Sequence, residues 1–287
     1  MIQTAETDFL RAEITKRYGT VRRARGSFLY TKSGVRLTDL YREGGRAIFG
    51  QREGGAFLRF KNALNRGETG FFDTDEKANL VKSLCVLLNS QRTVYAVYGL
   101  ENAFSAAAEF SSDEAALWLA WDPDKTDWSG KTSVIVAPPL AWGQDIFFVC
   151  IKPQDGKNQT TPDSRYADLR GINVPSPLCA AFSRSIYDFL SFSLTMGEKD
   201  WFIFDTILTP YWHRKGPYLF PKIPEASYRA FLLHCLDAEL VISPDYTVPS
   251  IVPFGAGRGV FGKLKKNPFF PVVQKKEWEQ LRCRSLK

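Results

Sequence analysis

Apolar residues recur at helical spacing in four stretches of the chain, and short β-rich blocks lie between them. From Gly55 to Asn65 the repeat is Phe57, Phe60 and Leu64, with Gly67 placed to end the helix. A second helix follows, with Leu80, Val81, Leu84, Cys85 and Leu88 on one face and a capping box expected from Asp73 and Glu76. Leu178, Ala181, Phe182, Ile186, Phe189 and Leu190 form a third stripe, and Tyr228, Phe231, Leu232, Cys235, Leu236 and Leu240 a fourth.

The β-rich blocks divide into two kinds. Ser27 to Thr31 and Val35 to Leu40 flank the turn signal Lys32-Ser33-Gly34 and predict an antiparallel hairpin. Val134 to Ala137 and Ile146 to Ile151 are continuous apolar runs, the pattern of strands in a sheet covered on both faces. Thr93 to Tyr98 predicts a strand that passes through Gly99 into the helix-prone, alanine-rich ENAFSAAAEF. Lys152 to Pro177 reads as a long loop, and Leu240 to Phe254 as two short strands broken by prolines. Together these predict an α/β large domain over residues 1–175 and a small α+β lobe over 176–287.

Composition narrows the classes of function. No apolar run approaches the ~20 residues that span a bilayer, and the N-terminus has no apolar signal core, so a cytoplasmic protein without membrane contact is expected. Five scattered cysteines with no C-x-x-C spacing predict reduced thiols, and two histidines exclude a histidine-rich metal centre. The net charge of +7 equals the excess of nine Lys/Arg over two Glu in Arg258 to Lys287. Such a segment can attract nucleic acid, but its interleaved Phe269, Phe270 and Trp278 suggest packing on the body, and nucleic acid is not expected as a partner.

The block RGSFLYTKSGVRLTDLYREGGRAIFG (Arg25 to Gly50) resembles the N-terminal hairpin of class III aminotransferases. PLCAAFSRSIYDFL (Pro177 to Leu190) is similar to the helix that follows that family's lysine loop, and Tyr228 to Pro253 to its C-terminal lobe. The resemblance implies a shortened fold type I, pyridoxal-phosphate-dependent transferase fold and a homodimer. Gly99-Leu100-Glu101-Asn102-Ala103 resembles the glycine turn that holds the cofactor phosphate, where a helix N-terminus offers free amides to an anion. Leu100 stands where the family has a hydroxyl.

A transaminase further needs a Schiff-base lysine and an acid facing the cofactor's ring nitrogen. By chain order the lysine belongs between the Gly99 turn and Pro177. Lys152, after the strand IFFVCI, is the better candidate and Lys131 the poorer. Pro153 follows Lys152, no acid-rich strand precedes it, and Asp145 reads as a strand cap. The resemblance therefore implies an aminotransferase-like scaffold from which pyridoxal phosphate is lost, a pseudoenzyme acting as a binding or structural partner. Its alternatives are an active aminotransferase using Lys152 and a nucleic-acid binder acting through the C-terminal segment.

Two further clusters carry weaker expectations. Trp201, Tyr211, Trp212, His213, Arg214, Lys215 and Tyr218 predict a packed domain seam, with His234 structural on its helix. Lys16, Arg17, Arg22, Arg23 and Arg25 predict a solvated basic face, which the resemblance would set near a dimer partner.

Overall fold

The computed structural model describes residues 5–51, 54–70, 72, 74–110, 113–143, 145–153 and 169–271. The chain opens with helix α1 (Ala5–Tyr18) and strands β1 (Val21–Arg25), β2 (Phe28–Thr31) and β3 (Arg36–Asp39). Helices α2 (Ala56–Asn65) and α3 (Asp75–Leu87) lead to β4 (Thr93–Tyr98), which turns at Gly99 into α4 (Leu100–Phe110). Strands β5 (Ala116–Leu117), β6 (Ser133–Val136), β7 (Ile146–Ile151) and β8 (Leu169–Gly171) precede the long helix α5 (Ser176–Ser193). The single-turn helices α6 (Glu198–Trp201) and α7 (Asp205–Leu208) come before β9 (Trp212–Lys215), β10 (Tyr218–Pro221) and α8 (Glu225–Asp237). After these come β11 (Leu240–Val241), β12 (Ser250–Ile251) and α9 (Gly262–Lys266).

The described residues form two compact units, one within 46–196 and the other joining 5–45 to 197–271. The sequence boundary at 175/176 falls inside the first unit, because α5 packs against α2 and α3. The N-terminal hairpin goes with the C-terminal residues, since β11 pairs in parallel with β3, Leu240 opposite Thr38.

In the first unit a five-stranded sheet has the order β5-β6-β7-β4-β8. β7 runs antiparallel to both neighbours, with Tyr98 opposite Ile146, Thr93 opposite Ile151, and Val136 opposite Phe148. Its uninterrupted apolar run follows from helices on both faces. Phe147, Val149 and Ile151 pack with Ala103 and Ala107 of α4. Phe148 points the other way and meets the Phe182 ring of α5 edge-on at 5.2 Å. β8 is a strand where a loop is expected; it pairs in parallel with β4, and the pairing supplies what its own short sequence does not signal.

α2 ends as expected, with Gly67 at φ +75° and Glu68 N–H donating to Ala63 O at 3.1 Å. Its apolar stripe, however, is not its buried face. Ala56 and Ala63 are buried, while Phe57, Leu58 and Leu64 are 49%, 60% and 43% exposed. Small residues let α2 lie close to α5 and leave the larger ones outside. Of the expected capping box, Asp73 lies outside the described residues; α3 starts after Thr74, whose hydroxyl bonds the Ser176 hydroxyl at 2.8 Å.

In the second unit the hairpin forms as expected, with Tyr30 opposite Arg36 and Gly34 at φ +84° in the turn. β9, β10 and β12 make a second small sheet. The aromatic residues of the cluster pack within this unit: Tyr211 stacks on Phe231 at 5.4 Å, and Phe231 meets Phe269 at 5.1 Å. Arg214 is held by Asp205 and Glu198. His234 Nε2 lies 2.8 Å from Asn267 O, a structural role. Cys85, Cys150, Cys179 and Cys235 are buried free thiols, and Cys283 lies outside the described residues. Among the described residues no helix is long and apolar enough to cross a membrane, and none of the described His, Cys, Asp and Glu form a metal-binding group.

Candidate functional site

The end of the central sheet where β4 enters α4 is the candidate site. Gly99 takes φ +80°, a value that favours glycine, and its amide donates to Asp145 O at 2.9 Å. Ala103 N–H donates to Gly99 O at 3.1 Å, which starts the helix and leaves the first-turn amides at its head without intrahelical acceptors. Asn102 Nδ2 donates back to Tyr98 O at 2.8 Å. The turn expected at Gly99 is therefore present as a strand-to-helix turn.

The side chains around it are of another character. Leu100 packs on the cluster of Ala103, Ala107 and Phe147 and supplies no polar group. Glu101 is exposed in the first turn. A Cβ built on Gly99 would lie 3.9 Å from Asp145 Oδ2, so a second carboxylate stands at the turn. Asp145 itself takes φ +61°.

Arg46, which the sequence reading did not single out, lies under the same junction. Its guanidinium sits over the Phe147 ring at 4.5 Å, and its Nη2 donates to Ile146 O at 2.9 Å. The residue is 8% exposed. Burial pulls its pKa down to about 10, against the opposing pull of Asp145. Nothing in GGRAIFG distinguishes this arginine from a solvated one; only the glycines beside it hint at close packing.

The sheet register does not bring Lys152 to this site. Gly99 follows Tyr98, opposite Ile146 at the start of β7, whereas Lys152 follows Ile151 at its far end, opposite Thr93. At ~3.4 Å per residue the two ends are about 20 Å apart, far beyond a lysine side chain. Lys152 is exposed there, and its amide donates to Thr132 O at 2.8 Å. Lys131 precedes β6 at that same far end. Of the connections that reach the Gly99 end, the one from β6 to β7 over residues 137–145, APPLAWGQD, contains no lysine.

No protein-family profile matches the chain. It is 28% identical to an uncharacterised protein of Treponema pallidum over 84% of this chain and 91% of that one. A second uncharacterised protein, from Borreliella burgdorferi, is 22% identical over 86% and 88% of the two chains. An omega-transaminase from Sphaerobacter thermophilus superposes with a TM-score of 0.59 at 11% identity, over 92% of this chain and 96% of that one. The ornithine delta-aminotransferase of Plasmodium falciparum gives 0.57 at 10% identity, over 92% and 97%. The chain thus has the fold of class III aminotransferases, a shortened fold type I arrangement, and at these identities the likeness is one of fold.

Proposed function

We propose that this protein is an aminotransferase-fold pseudoenzyme that has lost Schiff-base catalysis and acts as a binding or structural partner, as a homodimer. The observation that carries the reading is the opposition of Gly99 and Lys152 across the length of β7. A Schiff-base lysine must reach the carbonyl of a cofactor whose phosphate rests on the turn. The candidate amine is about 20 Å away at ~3.4 Å per residue, and the segment 137–145 beside the turn has no other.

The residues do not fit pyridoxal phosphate in two further respects. Leu100 turns into the core where the resemblance has a hydroxyl, and the Asp145 carboxylate stands where a phosphate dianion would be repelled. Arg46 lies beneath the junction, with Nη2 on Ile146 O and its plane over Phe147.

The homodimer rests on the fold and on α2, where Leu58 and Leu64 are apolar side chains exposed to water. The catalytic part of the proposal is tested by incubating the protein with pyridoxal phosphate, reducing with borohydride and mapping modified lysines by mass spectrometry. The expected result is no visible aldimine band and no selectively labelled lysine. A band that Lys152→Ala abolishes would overturn it.

A further inference from the structure

We propose that the outer face of the β1–β2–β3 sheet is a docking surface for single-stranded nucleic acid. The register assembles it. Arg23 pairs with Tyr30 and Tyr30 with Arg36, while Arg25 pairs with Phe28. Side chains two apart on a strand share a face, so three arginines and two aromatic rings fall together on one side. The intervening row, Ala24, Leu29 and Leu37, points the other way, and Leu37 is fully buried.

Contacts within the face hold these groups in planes. Arg23 lies over the Tyr30 ring at 5.2 Å from its centroid, and Arg36 over the Phe28 ring at 4.4 Å. All three arginines are exposed, and the rings are half-buried. The one acid in the three strands, Asp39, is 3% exposed and accepts the Arg42 amide at 2.9 Å, so no carboxylate of these strands neutralises the outer face. Exposed Lys32 and Arg22 add positive charge at the margins.

Charge complementarity selects a polyanion, and planarity selects among polyanions. Guanidinium and phenol planes stack unpaired bases, while the freed edges of the arginines meet phosphates. A duplex hides its base faces, and a lipid surface offers no planar groups to stack. Its residues are other than those of the C-terminal segment considered from the sequence and of the turn at Gly99, and it does not depend on the loss of Schiff-base catalysis.

The test is fluorescence anisotropy of the full chain with a labelled oligothymidylate. Three phosphate contacts at ~0.7 each give a slope of about −2 in log K against log salt, a roughly 20-fold loss from ~50 to ~200 mM. Arg23→Gln/Arg25→Gln/Arg36→Gln should flatten that slope. Tyr30→Leu, which keeps an apolar contact but removes the ring, should weaken binding by roughly tenfold at an unchanged slope. Circular dichroism establishes that both variants fold, and replacement of Lys275, Lys276, Arg282 and Arg284 by Gln should leave binding intact. Absence of binding overturns the proposal. So does loss through the C-terminal variant alone, a preference for duplex, or retention on phosphatidylserine vesicles without binding to the oligonucleotide.

Discussion

Gly171 ends β8 where it runs beside β4, and substituting it by alanine tests that register directly. Its φ is +85°, and an added Cβ would lie 2.2 Å from Ala96 O, a backbone atom with no side-chain freedom to move away. Gly67 is the matched control: it belongs to the same unit and has φ +75°, but a Cβ there meets nothing within 4 Å. Left-handed backbone costs either alanine about 1–2 kcal/mol. The entropy that alanine removes from the unfolded chain is common to both and cancels in the comparison. Only Gly171→Ala must also push β8 from β4. Overpacking of that kind costs about 1–3 kcal/mol, and loss of the Ile172 N–H bond to Ala96 O about 1 kcal/mol more. Urea unfolding followed by circular dichroism should therefore rank Gly171→Ala below Gly67→Ala by at least ~2 kcal/mol. Equal midpoints at equal m-values would refute the close approach of β8 to β4, and with it the sheet order at the candidate site.

Other expectations address the turn, the α2 face and the titrating core. With an anion on the α4 amides ~6 Å from Asp145, a single charge pair at an effective dielectric of ~20 repels by about 3 kcal/mol. Asp145→Asn should thus raise the affinity for inorganic phosphate at least ~10-fold by calorimetric titration, and an unchanged affinity would remove the carboxylate from the explanation. Leu58→Glu with Leu64→Glu should convert a dimer to a monomer in light scattering; a wild-type monomer would discard the dimer. Burial pushes the Tyr41 hydroxyl and the Cys179 thiol each up to about 12, and raises Tyr228 and Cys150 as well. These groups keep their protons longer in the folded chain, so the stability they contribute is complete below their ordinary values and is lost as pH rises toward 12. Each sheds up to ~1.4 kcal/mol per pH unit. Arg46, lowered to about 10, pulls the other way above that pH and offsets one such group. Melting temperature should fall steadily above pH ~9; a flat profile to pH 11 would contradict the burial of these side chains.

The helices and the two apolar strands were legible because their signals are local. Ile146–Ile151 is a strand with the bounds its apolar run predicts, and α5 and α8 lie on their stripes. Where packing chose between faces, periodicity failed. The Phe57, Phe60, Leu64 repeat gives the right helix, but close approach to α5 selects Ala56 and Ala63 for burial, a choice made by a neighbour more than 100 residues away in sequence. β8 is similarly invisible, since Leu169–Gly171 gains strand character only from β4.

The candidate site shows the same division at the level of chemistry. Chain order alone makes Lys152 a reasonable Schiff-base candidate, because it follows a buried strand in the correct interval. Strand direction decides otherwise. A residue after an antiparallel strand leaves the sheet at the end where its neighbour begins, so Lys152 emerges beside the start of β4 while Gly99 lies past its finish. Had β7 run parallel to β4, the same sequence would have set the lysine at the turn. The antiparallel sense of β7 follows from the short β6–β7 connection: residues 137–145 are too few for a crossover, which takes a dozen or more. Loop length thus fixes β7 against β6, and its direction against β4 follows only once the sheet order is known; that direction turns attention from Lys152 to the lysine-free segment 137–145, whose Asp145, with Arg46 beneath it, supplies the charges at the head of α4.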